Sequence, residues 1–170
     1  MFLNKNLHFH NPTVGRLSFQ GVIEEVFGYI NGDDKKSYEV VVGCDSASDE
    51  RPSFPVALVV LKKGYGGRFF LAKIKYPQER RFPSLQQRIL EEVFISCELA
   101  LEFREALKKR FEKSSLSIPY QFEYIHADVG GGSKTQAMIK EVVGLIKSNG
   151  FEAKVKPEAF AASIVADRFT

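Results

Sequence analysis

The stretch YQFEYIHADVGGGSKT, residues 120–135, decides the fold. Its first half is an apolar and aromatic run that ends on an acid, Asp128. The glycines Gly130, Gly131 and Gly132 follow, and Ser133, Lys134 and Thr135 lead into SKTQAMIKEVVGLIKSNG, a helix-periodic segment stopped by Asn149-Gly150. FEAKVKP, residues 151–157, then reads as another short strand. Strand, bare turn, helix, strand is a crossover unit, and such crossovers are right-handed.

Upstream the pattern changes from crossovers to tight turns. SYEVVVGCD, residues 37–45, is a β-branched run that predicts a strand buried on both faces. After the polar loop SASDERPS comes FPVALVVLKK, residues 54–63, and the glycines 64, 66 and 67 turn it into RFFLAKIKYP, residues 68–77. That third strand alternates, with Phe70, Ala72, Ile74 and Tyr76 on one side and Lys73 and Lys75 on the other, which predicts an edge strand. A long helix follows from Ser84 to about Lys113, opened by a capping box of Ser84 and Gln87. LSFQGVIEEVFGYINGDD, residues 17–34, predicts an earlier helix with Ser18 as N-cap and Asn31-Gly32 as its stop, and EAFAASIVADRFT predicts a short terminal one. The fold class is therefore α/β: a mixed sheet, antiparallel in its first half, flanked by helices.

Composition narrows the function. At 170 residues, 44% hydrophobic and 26% charged, the chain is expected to be one domain, with a helix over 18–32 and a core over 38–170. It has no signal-peptide pattern and no apolar stretch of membrane-spanning length, so it is expected to be soluble and cytoplasmic, with no membrane partner. Cys44 and Cys97 lack metal or redox spacing and read as free buried thiols. A net charge of +3 permits a polyanionic partner without demanding one.

The acids can be placed on this scaffold. Asp45 and Asp128 each stand at the carboxyl end of a strand, where open α/β sheets form their ligand crevice. If those strands are parallel neighbours, roughly 4.8 Å apart, the two carboxylates come close enough to share a cation. Read alone, each acid is equally a turn or helix cap. On the long helix Glu91, Glu98, Glu102 and Glu105 fall on one narrow stripe, most simply a solvated face. Glu92 lies off it, beside Leu85, Leu99 and Phe103, where a carboxylate is partly desolvated and needs a partner. A metal and Arg88 one turn earlier are both candidates. Asp167, four residues after Ser163 and on its face of the terminal helix, is a further candidate ligand.

The combination VVVGCDS, HADVGGGSKT and KVKPEAFAASIVADRFT resembles the YkuK-type family of uncharacterised bacterial proteins, for which a ribonuclease H-like fold is predicted. The resemblance runs from about Ser18 to the C-terminus. It implies a five-stranded sheet of order 3-2-1-4-5 with an extra N-terminal helix, and a carboxylate cluster in which Asp45, Glu92, Asp128 and Asp167 match the family's positions, with Glu91 and Glu98 as neighbouring alternatives for the helix acid. Such a cluster holds Mg²⁺ or Mn²⁺, two ions with substrate, and hydrolyses the phosphodiesters of nucleic acid, DNA or RNA. Gly130, Gly131, Gly132, Ser133 and Lys134 would then let a phosphate backbone approach, with Lys156 among the lysines of a basic rim. Lys154, Arg168, Arg80 and Arg81 are further basic candidates. His126 reads either as a hydrogen-bonded core histidine or as an auxiliary proton-transfer group. The loop does not match a Walker A motif, since Gly-Ser-Lys-Thr breaks the required Gly-Lys-Ser/Thr. Two other functions stay open at this point: a non-catalytic nucleic-acid-binding or assembly module, and a nucleotide-binding protein.

Overall fold

A computed structural model describes residues 6–117, 119–130, 132 and 134–161. Gly131, Ser133, Ser163, Asp167 and Arg168, singled out above, lie outside the described residues, as does most of the expected terminal helix.

The strands are β1 (His8–Asn11), β2 (Gly15–Ser18), β3 (Tyr38–Cys44), β4 (Phe54–Lys62), β5 (Gly66–Ile74), β6 (Tyr120–His126) and β7 (Glu152–Lys154). The helices are α1 (Phe19–Asn31), α2 (Leu85–Lys113) and α3 (Ile139–Ser148), the last preceded by a 3₁₀ turn at Gln136–Met138. One sheet holds every strand in the order β2-β1-β5-β4-β3-β6-β7. Its five-strand centre, β5-β4-β3-β6-β7, is the expected 3-2-1-4-5, with β3–β4 and β4–β5 antiparallel and β3–β6 and β6–β7 parallel.

Two strands were not foreseen, and they displace β5 from the edge. The hairpin β1–β2 pairs with it at His10↔Leu71, and the Asn11 amide donates to Phe69 O at 2.9 Å. Asn11 also shapes the hairpin turn, its Oδ1 accepting from Thr13 N and Val14 N at 2.9 and 3.0 Å. Both strands are only four residues long. The lysines Lys73 and Lys75 still face solvent, but they lie beyond the one register pair that β1 makes. Phe9 anchors the hairpin, buried edge-on against Phe103 of α2, centroids 5.5 Å apart.

One face of the sheet carries the main core. Val40, Val42, Leu58, Val60 and Phe70 meet Val22, Val26 and Ile30 of α1 and Val93, Leu99, Phe103 and Leu107 of α2. Val41, Ala57, Val59 and Leu71 point to the other face, where Ala161 joins them. β3 is thus buried on both sides, as its unbroken β-branched run predicts. Ser84 caps α2 by accepting from Gln87 N at 3.2 Å while Gln87 Oε1 accepts from Ser84 N at 3.3 Å. α3 begins later than its sequence pattern implies. Thr135 Oγ1 accepts from Gly130 N at 2.9 Å across the loop instead of capping the helix, and the first turn is 3₁₀.

Candidate functional site

The register of the two central parallel strands builds the site. Gly43 pairs with His126, so continuing two residues along each strand brings Asp45 level with Asp128, just beyond the strand ends. Asp45 N stays on the ladder, donating to Pro55 O at 3.1 Å. The adjacent residue ties in the helix: Ser46 donates from both N, at 2.9 Å, and Oγ, at 2.5 Å, to Glu92 Oε1. Glu92 is 7% exposed. Burial, followed by the charges of Asp45 and Asp128, pushes its carboxyl up to about 8, against the Ser46 bonds that hold it down. Three of the acids read from the sequence therefore feel one another at one end of the sheet.

A lysine sits among them. The Lys156 ammonium forms an ion pair with Asp128, 2.8 Å from Oδ1, an oxygen buried from solvent. The Asp128 partner raises the Lys156 ammonium above its ordinary range, and the Asp45 charge adds to this. Lys156 is placed by its backbone, whose N–H donates to Val129 O at 3.0 Å after β7 ends. Lys154, two residues earlier, is turned away from this group and pairs with Glu39 at 3.4 Å. The donor set is all carboxylate oxygen, which suits a hard divalent cation. Among the described residues no three such side chains are drawn together around one point that could hold an ion.

The glycine loop is set by backbone geometry. Gly130 has φ +99°, and a Cβ there would meet Ile139 Cδ1 at 3.2 Å. Gly132 has φ +74° and is exposed, as is Lys134. Because Gly130 N already donates to Thr135, that amide is not presented to a ligand.

His126 is buried, at 1% exposure. Its Nδ1 accepts from Phe160 N at 3.1 Å and Ala161 N at 3.2 Å, which puts the ring proton on Nε2, an atom without a partner among the described residues. Burial, then Lys154, pushes its pKa down to about 4. The ring is a neutral acceptor fastening residues 160–161 to β6, in line with the core-histidine reading.

Glu91 corrects the helical-stripe argument. It is 7% exposed, not solvated. Its Oε1 accepts a short hydrogen bond from the Tyr76 hydroxyl, and its Oε2 accepts from Arg80 Nη2 at 3.0 Å. The segment after β5 lies over this turn of α2, covering a position that periodicity alone assigns to solvent. Ser46, Tyr76 and Arg80 were not foreseen as partners of the helix glutamates. The only signal in the sequence was the position of Ser46 next to Asp45.

"Uncharacterized protein YkuK" of Bacillus subtilis (strain 168) is 29% identical to the chain over 169 residues, covering 95% of this chain and 96% of that protein. No solved structure matches. A protein-family model described as Ribonuclease H-like matches residues 21–170, from within α1 through every element that carries the acids. With that span and the central strand order in agreement, the chain belongs to the ribonuclease H-like family.

Proposed function

We propose that the chain is a metal-dependent nuclease that hydrolyses a phosphodiester of nucleic acid at the carboxyl ends of β3 and β6. The observation that carries this reading is Glu92: a buried carboxyl pushed up to about 8 beside Asp45 and Asp128, an arrangement that calls for positive charge. Asp45, Glu92 and Asp128 would hold Mg²⁺ or Mn²⁺, with Asp167, outside the described residues, as a fourth ligand. Bound there, such ions would supply activation of the attacking water and neutralisation at the leaving oxygen. Ser46 orients Glu92 through its two bonds and keeps one carboxylate oxygen fixed. Lys156 neutralises Asp128 when substrate is absent and pairs with a phosphate oxygen when it is present.

A second reading, a nucleic-acid-binding module without catalysis, is favoured by the same lysine, since an ammonium already sits against Asp128 where a metal would be needed. The nucleotide-cradle reading is weakened by the Gly130 amide being engaged by Thr135.

The deciding experiment incubates the protein with end-labelled single-stranded DNA, RNA, duplex and hybrid in Mn²⁺ and resolves the products on denaturing gels. Metal-dependent cleavage is expected, and Asp45→Asn, Glu92→Gln or Asp128→Asn should each lower it about a thousandfold, roughly 4 kcal/mol of barrier. Glu98→Gln should change it little. Cleavage untouched by all three substitutions overturns the site. Binding that persists in EDTA with no cleavage in any metal selects the module.

A further inference from the structure

A cleft of about 410 Å³ opens between the β3–β4 loop and the segment that follows β5. Arg51, Lys75 and Arg80 line it, with Asp49 as its acidic member and Tyr76 and Phe82 among its apolar walls. The cleft is preformed. Its two walls are joined by the Phe82 N–H donating to Glu50 O at 2.8 Å, and Phe54 meets both Tyr76 and Phe82 beneath, at centroid distances of 5.6 and 5.0 Å. Arg80 is fixed as a plane, 4.1 Å over the Tyr76 ring and held from behind by Glu91. Arg51 and Lys75 are exposed, and neither side chain takes part in an ion pair among the described residues.

The same elements build this cleft and the acid group. The β3–β4 loop carries Asp45 and Ser46 at its start and Asp49 and Arg51 at its end. On α2 two consecutive glutamates serve the two places: Glu92 holds Ser46, and Glu91 holds Tyr76 and Arg80. A flat guanidinium backed by aromatic rings is a stacking platform for a base, and two unpaired cations beside it are a phosphate site. The volume lies near the small end of the roughly 300 to 1,000 Å³ of ligand pockets, room for one nucleotide.

We propose that this cleft holds a nucleotide of the substrate strand next to the one at the acid group, its phosphate on Arg51 and Lys75 and its base on the Arg80 plane. The inference rests on the nucleic-acid reading above and extends it to where the strand runs: across β3 and β4 toward β5.

The test is fluorescence anisotropy with labelled single-stranded DNA and RNA oligonucleotides in Ca²⁺, over a salt series. Arg51→Ala/Lys75→Ala should weaken binding about tenfold or more at low salt and make the log–log salt slope shallower by about 0.7, the contribution of the one phosphate no longer neutralised. A control pair of exposed lysines elsewhere, Lys35→Ala/Lys108→Ala, should leave affinity and slope near the parent's. If the parent binds and the cleft pair matches it, or the control pair weakens binding equally, the cleft assignment is overturned while the nucleic-acid reading stands. If the parent binds no oligonucleotide, that reading falls and this one with it. Saturable AMP binding without oligonucleotide binding also overturns the assignment, because it makes the cleft a free-nucleotide site.

Discussion

Replacing Glu92 with Gln probes the acid group without requiring chemistry from it. In an unfolded chain this carboxyl titrates near 4.5, and in the fold burial and the neighbouring Asp45 and Asp128 push it up to about 8. Between those values the folded protein retains a proton that the unfolded chain releases. The stabilisation is therefore complete below the unfolded value and is lost as pH rises through the folded one. Each pH unit in the window is worth up to about 1.4 kcal/mol, so from about pH 5 to 7.5 the parent should lose about 3 kcal/mol through this group. For a domain of this size that is about 10 °C in melting temperature. Gln keeps the shape, and its amide oxygen still accepts from Ser46, but it does not titrate. Thermal melts in EDTA at constant ionic strength should therefore show the Glu92→Gln protein gaining on the parent steadily as pH rises. Groups remote from Glu92 titrate alike in both proteins and cancel in the difference. A difference that is flat with pH, or a variant less stable than the parent at pH 7.5, refutes the reasoning.

Two further outcomes follow from the same site and its neighbour. Millimolar Mn²⁺ at pH 7.5 should raise the parent's melting temperature, by about 2.7 kcal/mol of stability at a hundredfold excess over Kd, and should raise that of Glu92→Gln less; identical parent curves in Mn²⁺ and EDTA, at matched ionic strength, count against a metal site. His126, with its pKa pushed down to about 4 from 6.5, contributes stability that is present above the unfolded value and lost as pH falls toward the folded one, about 3 kcal/mol in all. Long-range ¹⁵N spectra should find its proton on Nε2 and no titration above about pH 5. A midpoint near 6.5 contradicts the hydrogen bonding described.

The strand ends were legible because they combine two independent signals, a strand-forming run, β-branched before Asp45 and aromatic before Asp128, and an acid just past it. Asp45 and Asp128 each follow such a run, and a parallel pairing then fixes them level with each other. Glu92 was legible as the glutamate off the stripe, since 100° per residue places it toward the core whatever covers the rest of the helix. The stripe itself failed at Glu91. Periodicity reports which residues share a face, not what lies over it, and the segment carrying Tyr76 and Arg80 is a loop with no period. The hairpin failed for a related reason: HFHN and GRLS offer one large apolar side chain each, Phe9 and Leu17, too little alternation to register as strands. Asp167 and Ser163, read from their shared face of the terminal helix and from the resemblance, lie outside the described residues.

The hairpin bears on where this chain can be cut. The family match starts at residue 21, and β1 and β2 lie wholly before it. A fragment trimmed to that boundary would keep every acid and yet be a different object. It would leave an empty socket beside Phe103 where Phe9 was seated, and it would bare the outer ladder of β5, a nine-residue strand containing Phe69, Phe70 and Leu71. Exposed backbone donors beside such side chains recruit other strands. With the hairpin in place the outermost strands among the described residues are β2 and β7, of four and three residues, each too short to template a neighbour. Residues 8–18 thus act as a selvedge, finishing the woven sheet so that it does not unravel into its neighbours.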